Sequence, residues 1–327
     1  MSSLTPGSLT EHSKGSLTRD ELSKRKPVRA PGSSRGVGPG GAVSRRPRSL
    51  WSDAWTRLMR NPVAVAGGIV VILLIAISLL APAIVPYDPM IQDLANSLAP
   101  PSASHLAGTD VHGRDVFSRI LWGTGISLRI GFLGMLLGCL VGVALGLISG
   151  YYGGWLDTTI MRLLDVQLAF PGLLLALCII AIIGPGLENV IIAVGIFSIP
   201  IFARVTRGQV LTLQQQDYVL AARMVGAQDG RIIIYHMLPN ALAPILVIAT
   251  LRIATAILTA ASLSFLGLGA QPPIPEWGAM LSDGRQYLTI APHVATFPGL
   301  AILITVLSFN LLGDGLRDAL DPRLRVD

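Results

Sequence analysis

Lysine is almost missing from this chain: none occurs after Lys26, and Asp, Glu, Lys and Arg together make up only 13% of 327 residues. Without lysine in its body the chain holds no Gly-x-x-x-x-Gly-Lys-Ser/Thr loop, so it is not expected to bind ATP itself. Cysteine is nearly as scarce. Cys139 and Cys178 both fall in apolar runs, so neither a disulfide framework nor a thiolate metal site is expected. No His/Glu or Ser/His/Asp constellation converges on one face, and no catalytic role is expected. Nor does a short basic segment followed by an apolar stretch open the chain. The first apolar run begins near residue 62, so no secretory signal is read.

What the chain has instead is hydrophobic residues: 51% of the sequence, with a mean hydropathy of +0.61. Windows 61–87, 130–156, 166–187, 189–203, 232–251, 253–275 and 286–313 carry no Asp, Glu, Lys or Arg. A helix crosses the hydrocarbon core with about 20 apolar residues. Spacing and length therefore predict six spans, roughly 63–85, 127–150, 158–183, 188–206, 240–265 and 294–315. Barrel strands would alternate apolar and polar residues, and these runs do not. The expected fold is an all-α integral membrane bundle of six helices.

Charge is concentrated at the N-terminus, where the first 60 residues hold 12 Lys+Arg against 4 Asp+Glu. Residues 1–48 are rich in Ser, Gly, Pro and Arg and are read as a disordered tail. A basic tail follows the positive-inside rule, and contact with anionic headgroups is the second reading. Nucleic-acid binding is not expected, because no periodic element is available to enter a groove. Trp51, Trp55, Leu58 and Met59 recur at helical spacing over 49–61, which reads as an interfacial helix or an aromatic belt. Counting spans from a basic interior places both termini in the cytoplasm. Residues 62–126 then hold the first span and an extracytoplasmic segment, 127–318 the transmembrane domain, and 319–327 a cytoplasmic tail. Arg114 and Arg119 lie on the outer side, offset by Asp110 and Asp115.

Gly134, Gly138, Gly142, Gly146 and Gly150 recur every fourth residue along the second span. Such a face lets another backbone come close, either within this subunit or from a second one. A polar interruption at 208–238 separates spans four and five. Within it Tyr218, Ala221, Ala222 and Val225 share one face of a short helix. Asp217 suits the N-terminal cap of that helix and Gly226 the left-handed position after its end. His236, at the loop–membrane boundary, is read as a structural hydrogen-bonding residue, and Arg162 with Asp165 as a local i, i+3 ion pair.

The stretch from Asp217 to Asn240, with Ala221, Ala222, Gly226, Leu238 and Pro239 in place, resembles the EAA coupling loop of ABC importer permeases. Further motifs are similar to the dipeptide/oligopeptide/nickel group of that family, C-type subunit. They are Val85–Pro89, His105–Arg119, Leu263–Pro273 with Trp277-Gly278, and Phe309–Arg323. Leu220 stands in place of the usual Glu, His236 of an apolar residue, and Ala260 of a Glu. The resemblance covers about residues 50–325. It implies a multi-pass protein of a bacterial inner membrane that forms half of a translocation pathway. Its implied partners are a second homologous permease, two ATP-binding subunits that hold ATP and Mg, an extracytoplasmic substrate-binding protein, and lipid. It also implies an ATPase-coupling role for Asp217, Tyr218, Ala221, Ala222, Arg223, Val225 and Gly226. Cargo would be short peptides, or alternatively a nickel chelate, glutathione, haem or another small solute. An ion-driven secondary transporter is the other class, disfavoured because Asp165 and Glu188 sit near span ends.

Arg252 is the one charge deep in a span, about 18 Å from either end at 1.5 Å per residue. An arginine there faces a bundle interior or a wet path. It either lines the conduit, where a substrate carboxylate could meet it, or pairs with an acidic residue of a neighbouring subunit.

Overall fold

A computed structural model describes residues 50–320, with side chains from Ala54 onward. The basic segment 1–48, the Trp51 side chain, Arg323 and Arg325 lie outside the described residues, as does most of the 319–327 tail. Every regular element among the described residues is helical. In chain order these are α1 (Leu50–Arg60), α2 (Pro62–Ile84), α3 (Val116–Tyr152), α4 (Gly154–Ala169), α5 (Gly172–Ile183), α6 (Leu187–Leu213) and α7 (Asp217–Met224). A single turn α8 (Asp229–Arg231) and a π-helical turn (Ile232–Met237) lead into α9 (Leu238–Phe265), followed by α10 (Trp277–Gly284) and α11 (His293–Leu320).

Helix ends follow local chemistry. Asn61 caps α2, accepting from Val63 and Ala64 N–H at 3.1 and 3.2 Å, and Pro62 occupies the first helical position, where no donor is needed. Asp115 caps α3 by accepting from Ser118 N–H at 2.7 Å. Gly153 and Gly154 turn the chain between α3 and α4 at φ +63° and +57°, a region open to glycine without cost.

Five helices, α2, α3, α6, α9 with its lead-in, and α11, are long and apolar enough to cross a membrane. The expected third span is not one helix. α4 and α5 meet at a 94° bend, and neither alone spans about 30 Å of hydrocarbon. Pro171 causes the break: it lacks an N–H, and it holds Phe170 extended at φ −87°, ψ 134°. The bent pair makes the sixth candidate crossing.

Two other boundaries also move. α3 starts eleven residues before the expected position 127, and α6 runs to Leu213 instead of 206, so residues 208–213 leave the polar interruption. In both cases an arginine placed outside the expected span is accommodated inside the helix by a partner. Arg119 donates to the carbonyls of Pro89 (2.8 Å) and Pro273 (3.3 Å), and Arg207 clamps Asp157 with two bonds of 2.6 Å.

α3 and α6 form the centre of the bundle, and the five regularly spaced glycines of α3, from Gly134 to Gly150, all face α6. A Cβ on Gly138 would stand 2.5 Å from Ser198 Cβ, on Gly142 2.6 Å from the Ile199 carbonyl, and on Gly146 2.5 Å from the Ala203 carbonyl. Gly134 and Gly150 meet Val194 and Val210 in the same way. Farther along α3, Gly131 abuts Ile257 of α9 and Gly123 abuts Pro275 and Trp277 beside α10. Three clusters fill the layers between these helices. Val190, Val194 and Ala260 lie toward the α5–α6 turn, Phe202, Ala241 and Ile245 lie in the middle, and Leu147, Tyr151, Val210 and Val219 lie at the α7 end.

The opposite end is closed by segment 85–115 and α10. Asp110 pairs with Arg114 at 2.7 Å and with Arg119 at 3.6 Å. Asp115, expected to offset these arginines, instead bonds His105 Nδ1 at 2.9 Å and caps α3. Glu276 is buried and caps α10 through Ala279 N–H at 2.9 Å. Burial pushes its carboxyl above the ordinary carboxylate value, against the hydrogen bonds that favour the charged form.

Three outcomes follow. Gly142→Val must displace α6 backbone and should cost about 1–3 kcal/mol or more, seen as a lower melting temperature of detergent-solubilised protein. Gly208→Ala, with open space around its Cβ, should be neutral or stabilising by up to about 1 kcal/mol. Because the Glu276 carboxyl is raised in the fold, its ionisation weakens stability as pH climbs above 4.5 and has no effect below it. Glu276→Gln keeps an acceptor for Ala279, so melting curves should show a gain at alkaline pH that disappears below that value.

Candidate functional site

The segment between α6 and α9 is a short helix held at one face and bare on the other. α7 is only eight residues long, too short to be stable alone. Its anchor is Val219, which is fully buried among Leu147, Tyr151, Val210, Ile232 and Met237, with Ala222 packed beside it. Sequence reading placed Ala222 on one face with Tyr218, Ala221 and Val225. The structure turns Ala222 inward with Val219 and leaves the other three exposed. Met224 and Val225 are 86% and 85% exposed, and Leu220, Ile234 and Tyr235 join them on the surface. An apolar patch this open, carried on a rigid backbone, is suited to a partner surface.

The ends of α7 are only partly as expected. Asp217 is its first helical residue instead of its cap. Gln216 takes the cap position, without a side-chain bond, and Asp217 still places negative charge at the positive end of the helix. Gly226 adopts φ +81°, and the bonds Gly226 N–H to Arg223 C=O and Ala227 N–H to Ala222 C=O, both 3.0 Å, complete a Schellman motif. Desolvation raises the Tyr218 hydroxyl above its usual value, and its ring lies 6.5 Å from that of His236. His236 uses its backbone carbonyl, which accepts from Asn240 Nδ2 at 2.6 Å.

Sequence reading missed the groups that fasten this segment to the bundle. Tyr151, the penultimate residue of α3, donates its hydroxyl to Asp229 Oδ1 at 2.6 Å. The Arg223 guanidinium sits 5.1 Å from the centroid of its ring. Gln214 Nε2 donates to the carbonyls of Gly150 (3.0 Å) and Tyr151 (2.7 Å). Nearby, Arg207 and Ser149 both bond Asp157, tying α6 and α3 to α4. Asp165 pairs with Arg204 of α6 at 2.5 Å, and not with Arg162 as its i, i+3 position suggested. No sequence periodicity marks these pairs: Ser149 and Asp157 are eight residues apart, and the members of the others lie 39 to 78 residues apart.

Arg252 lies in the middle of α9, about 20 Å from either end at 1.5 Å per residue. Its guanidinium stands 5.5 Å from the centroid of Phe197 on α6. Nη2 is buried with no hydrogen-bond partner among the described residues, and none of their ion pairs includes Arg252. Phe197 in turn presses on Gly172, the first residue of α5, where a Cβ would stand 2.3 Å from the ring. The arginine is thus one ring away from the break between α4 and α5. The uncapped N-terminus of α5 adds positive partial charge there. Ala260, where a Glu was expected from the resemblance, is packed in the apolar cluster beside Val190 and Val194.

Comparison with known proteins agrees with this architecture. Residues 142–326 match the family described as binding-protein-dependent transport system inner membrane component, and residues 49–101 match the N-terminal TM domain of oligopeptide transport permease C. The glutathione transport system permease protein GsiD of Pectobacterium atrosepticum is 54% identical over 279 residues, covering 85% of this chain and 93% of that protein. The dipeptide transport system permease protein DppC of Alkalihalophilus pseudofirmus is 48% identical over 277 residues, covering 85% and 91%. A solved structure of the MetNI methionine ABC transporter in inward-facing conformations shares the fold at TM-score 0.51 and 21% identity, covering 62% of this chain and 97% of that one. With these matches across both its N-terminal span and its central bundle, the chain belongs to the inner-membrane permease family of binding-protein-dependent ABC importers.

Proposed function

We propose that this chain is the non-catalytic half of a peptide-importing channel and that α7 is the element through which separate ATPase subunits drive it. The observation that carries the reading is the geometry of α7: Val219 and Ala222 fixed inward, Met224 and Val225 held bare by a Schellman cap. A surface helix that buried nothing else would expose such residues at a cost, and a cleft on a partner removes that cost. Both termini and α7 would then lie in the cytoplasm, in keeping with the arginines of 204–231 on that side. A second homologous permease, two ATPases and an extracytoplasmic binding protein complete the assembly. Cargo is read from the named relatives as short peptides, including the tripeptide glutathione. An isotope-uptake assay with labelled dipeptides, longer peptides and glutathione would rank these.

Within the bilayer we assign Arg252 to the conduit. Its unpaired Nη2, the neighbouring aromatic face and the helix break beside it resemble the interrupted helices that hold polar groups in transporters. A peptide carboxylate would satisfy that donor in passing.

Replacing 217–226 by a Gly/Ser spacer should abolish co-purification of the ATPase subunits while the permease still inserts. Full hydrolysis-driven import by that variant would refute the proposal. Arg252→Ala should leave assembly intact and lower uptake about tenfold, the scale of one hydrogen bond to a charged group. Unchanged uptake in an assembled complex would remove Arg252 from the pathway.

A further inference from the structure

α7 is joined to the bundle by two short non-helical links. On one side stands the turn Gln214–Gln216, on the other Val225–Gln228, which contains Gly226 with no atom within 4 Å of its Cβ position. Beyond that second link come α8, with Gly230 in its middle, and the π-helical turn into α9. Force applied to α7 and carried by these joints alone would pass through irregular backbone that can bend. Delivery to the spans needs a stiffer, non-covalent connection.

Beside the apolar packing of Val219, one side chain reaches the segment most widely. Tyr151 touches the segment at three places: its ring packs in the apolar cluster around Val219, its face carries Arg223 at 5.1 Å, and its hydroxyl donates to Asp229 at 2.6 Å. Its own carbonyl accepts from Gln214 at 2.7 Å, so the residues on both sides of α7 are fastened to the same position. Tyr151 is the penultimate residue of α3, a helix of 37 residues and about 55 Å. α3 is locked to α6 by backbone-distance contacts along five glycines, so the two helices move as one body. Its far end holds Arg119 among Asp110 and the carbonyls of Pro89 and Pro273. A displacement at Tyr151 therefore reaches the opposite face of the bundle along one rod.

We propose that Tyr151 is the positioning residue that passes movement of α7 to the α3–α6 pair. The inference rests on the coupling role of α7. Tyr151 itself is partly enclosed by the bundle and acts without touching the ATPase, which α7 contacts through its bare side. Removing the hydroxyl should leave docking intact and let the stroke slip.

The test uses the whole complex, with its second permease, ATPases and binding protein, in proteoliposomes. Tyr151→Phe keeps the ring, and with it the packing of Val219 and Arg223, while deleting the bond to Asp229. ATPase co-purification and basal ATP hydrolysis should stay at wild-type levels while substrate imported per ATP hydrolysed falls about tenfold. Asp229→Asn retains an acceptor oxygen and should recover most of the ratio. Asp229→Ala should match Tyr151→Phe, and the double variant should be no worse than either. An unchanged ratio in Tyr151→Phe overturns the proposal, as does a loss explained by ATPase subunits leaving the complex. Import that survives the 217–226 spacer would instead defeat the underlying coupling reading, independently of what Tyr151 does.

Discussion

The close approach of α3 to α6 is the constraint around which the other helices are placed. In a bilayer there is no water to drive two apolar helices together, so their association depends on dispersion contacts that fall off within ångströms. Backbone carbonyls of Ile199 and Ala203 lie where the Cβ atoms of Gly142 and Gly146 would be. Each glycine therefore contributes by what it leaves out. Once the pair is fixed, Gly131 and Gly123 present the next part of α3 to α9 and α10, and Gly313 admits Leu251 of α9 against α11. α2 reaches the bundle through Gly67, opposite the Ser308 carbonyl, and leaves Ile69, Ile72 and Leu79 exposed on its other side.

Composition gave the number and rough place of the spans because hydrocarbon tolerates few charges, and the charge-free windows mark where charge was avoided. It misplaced the ends for the same reason. An arginine placed outside a span assumes water around it, whereas Arg119 finds the carbonyls of Pro89 and Pro273 and Arg207 a carboxylate on another helix. Those partners are set by tertiary packing and leave no periodic trace. The break in the third span is a different kind of miss. Phe170-Pro171-Gly172 was present to be read, but an uninterrupted apolar window outweighed it, and the proline decided the local backbone.

Around α7 the legible features were the ones that depend on a residue's own backbone. Gly226 is left-handed because glycine alone adopts that conformation freely, and it stands where the helix must stop. Cap identity at Asp217 failed by one residue, within the normal uncertainty of helix ends. Which face turns inward was not decidable from Tyr218, Ala221, Ala222 and Val225 alone. A helix of two turns with apolar residues on several sides can seat either way, and the buried seat is supplied by Leu147, Tyr151 and Val210 from elsewhere in the chain. Tyr151 has no pattern of its own in the sequence. It gains its position from ending the glycine-lined helix beside the one segment that has to be held.

Arg119 and Arg252 are accommodated in different ways. Arg119 is 3% exposed, yet Nη1 donates to two carbonyls and Nε faces Asp110 at 3.6 Å, so its charge is spread over groups of this same chain. Breaking that set would leave ions without partners, and it holds the end of the bundle closed. Arg252 has an aromatic face for company and a buried donor that no described residue accepts. A cation–π contact returns about 0.5–2 kcal/mol, well below the several kcal/mol that withdrawing a charge from water costs. An arginine at the middle of α9, beside the α4–α5 break, is accounted for if another subunit or the cargo brings the missing acceptor.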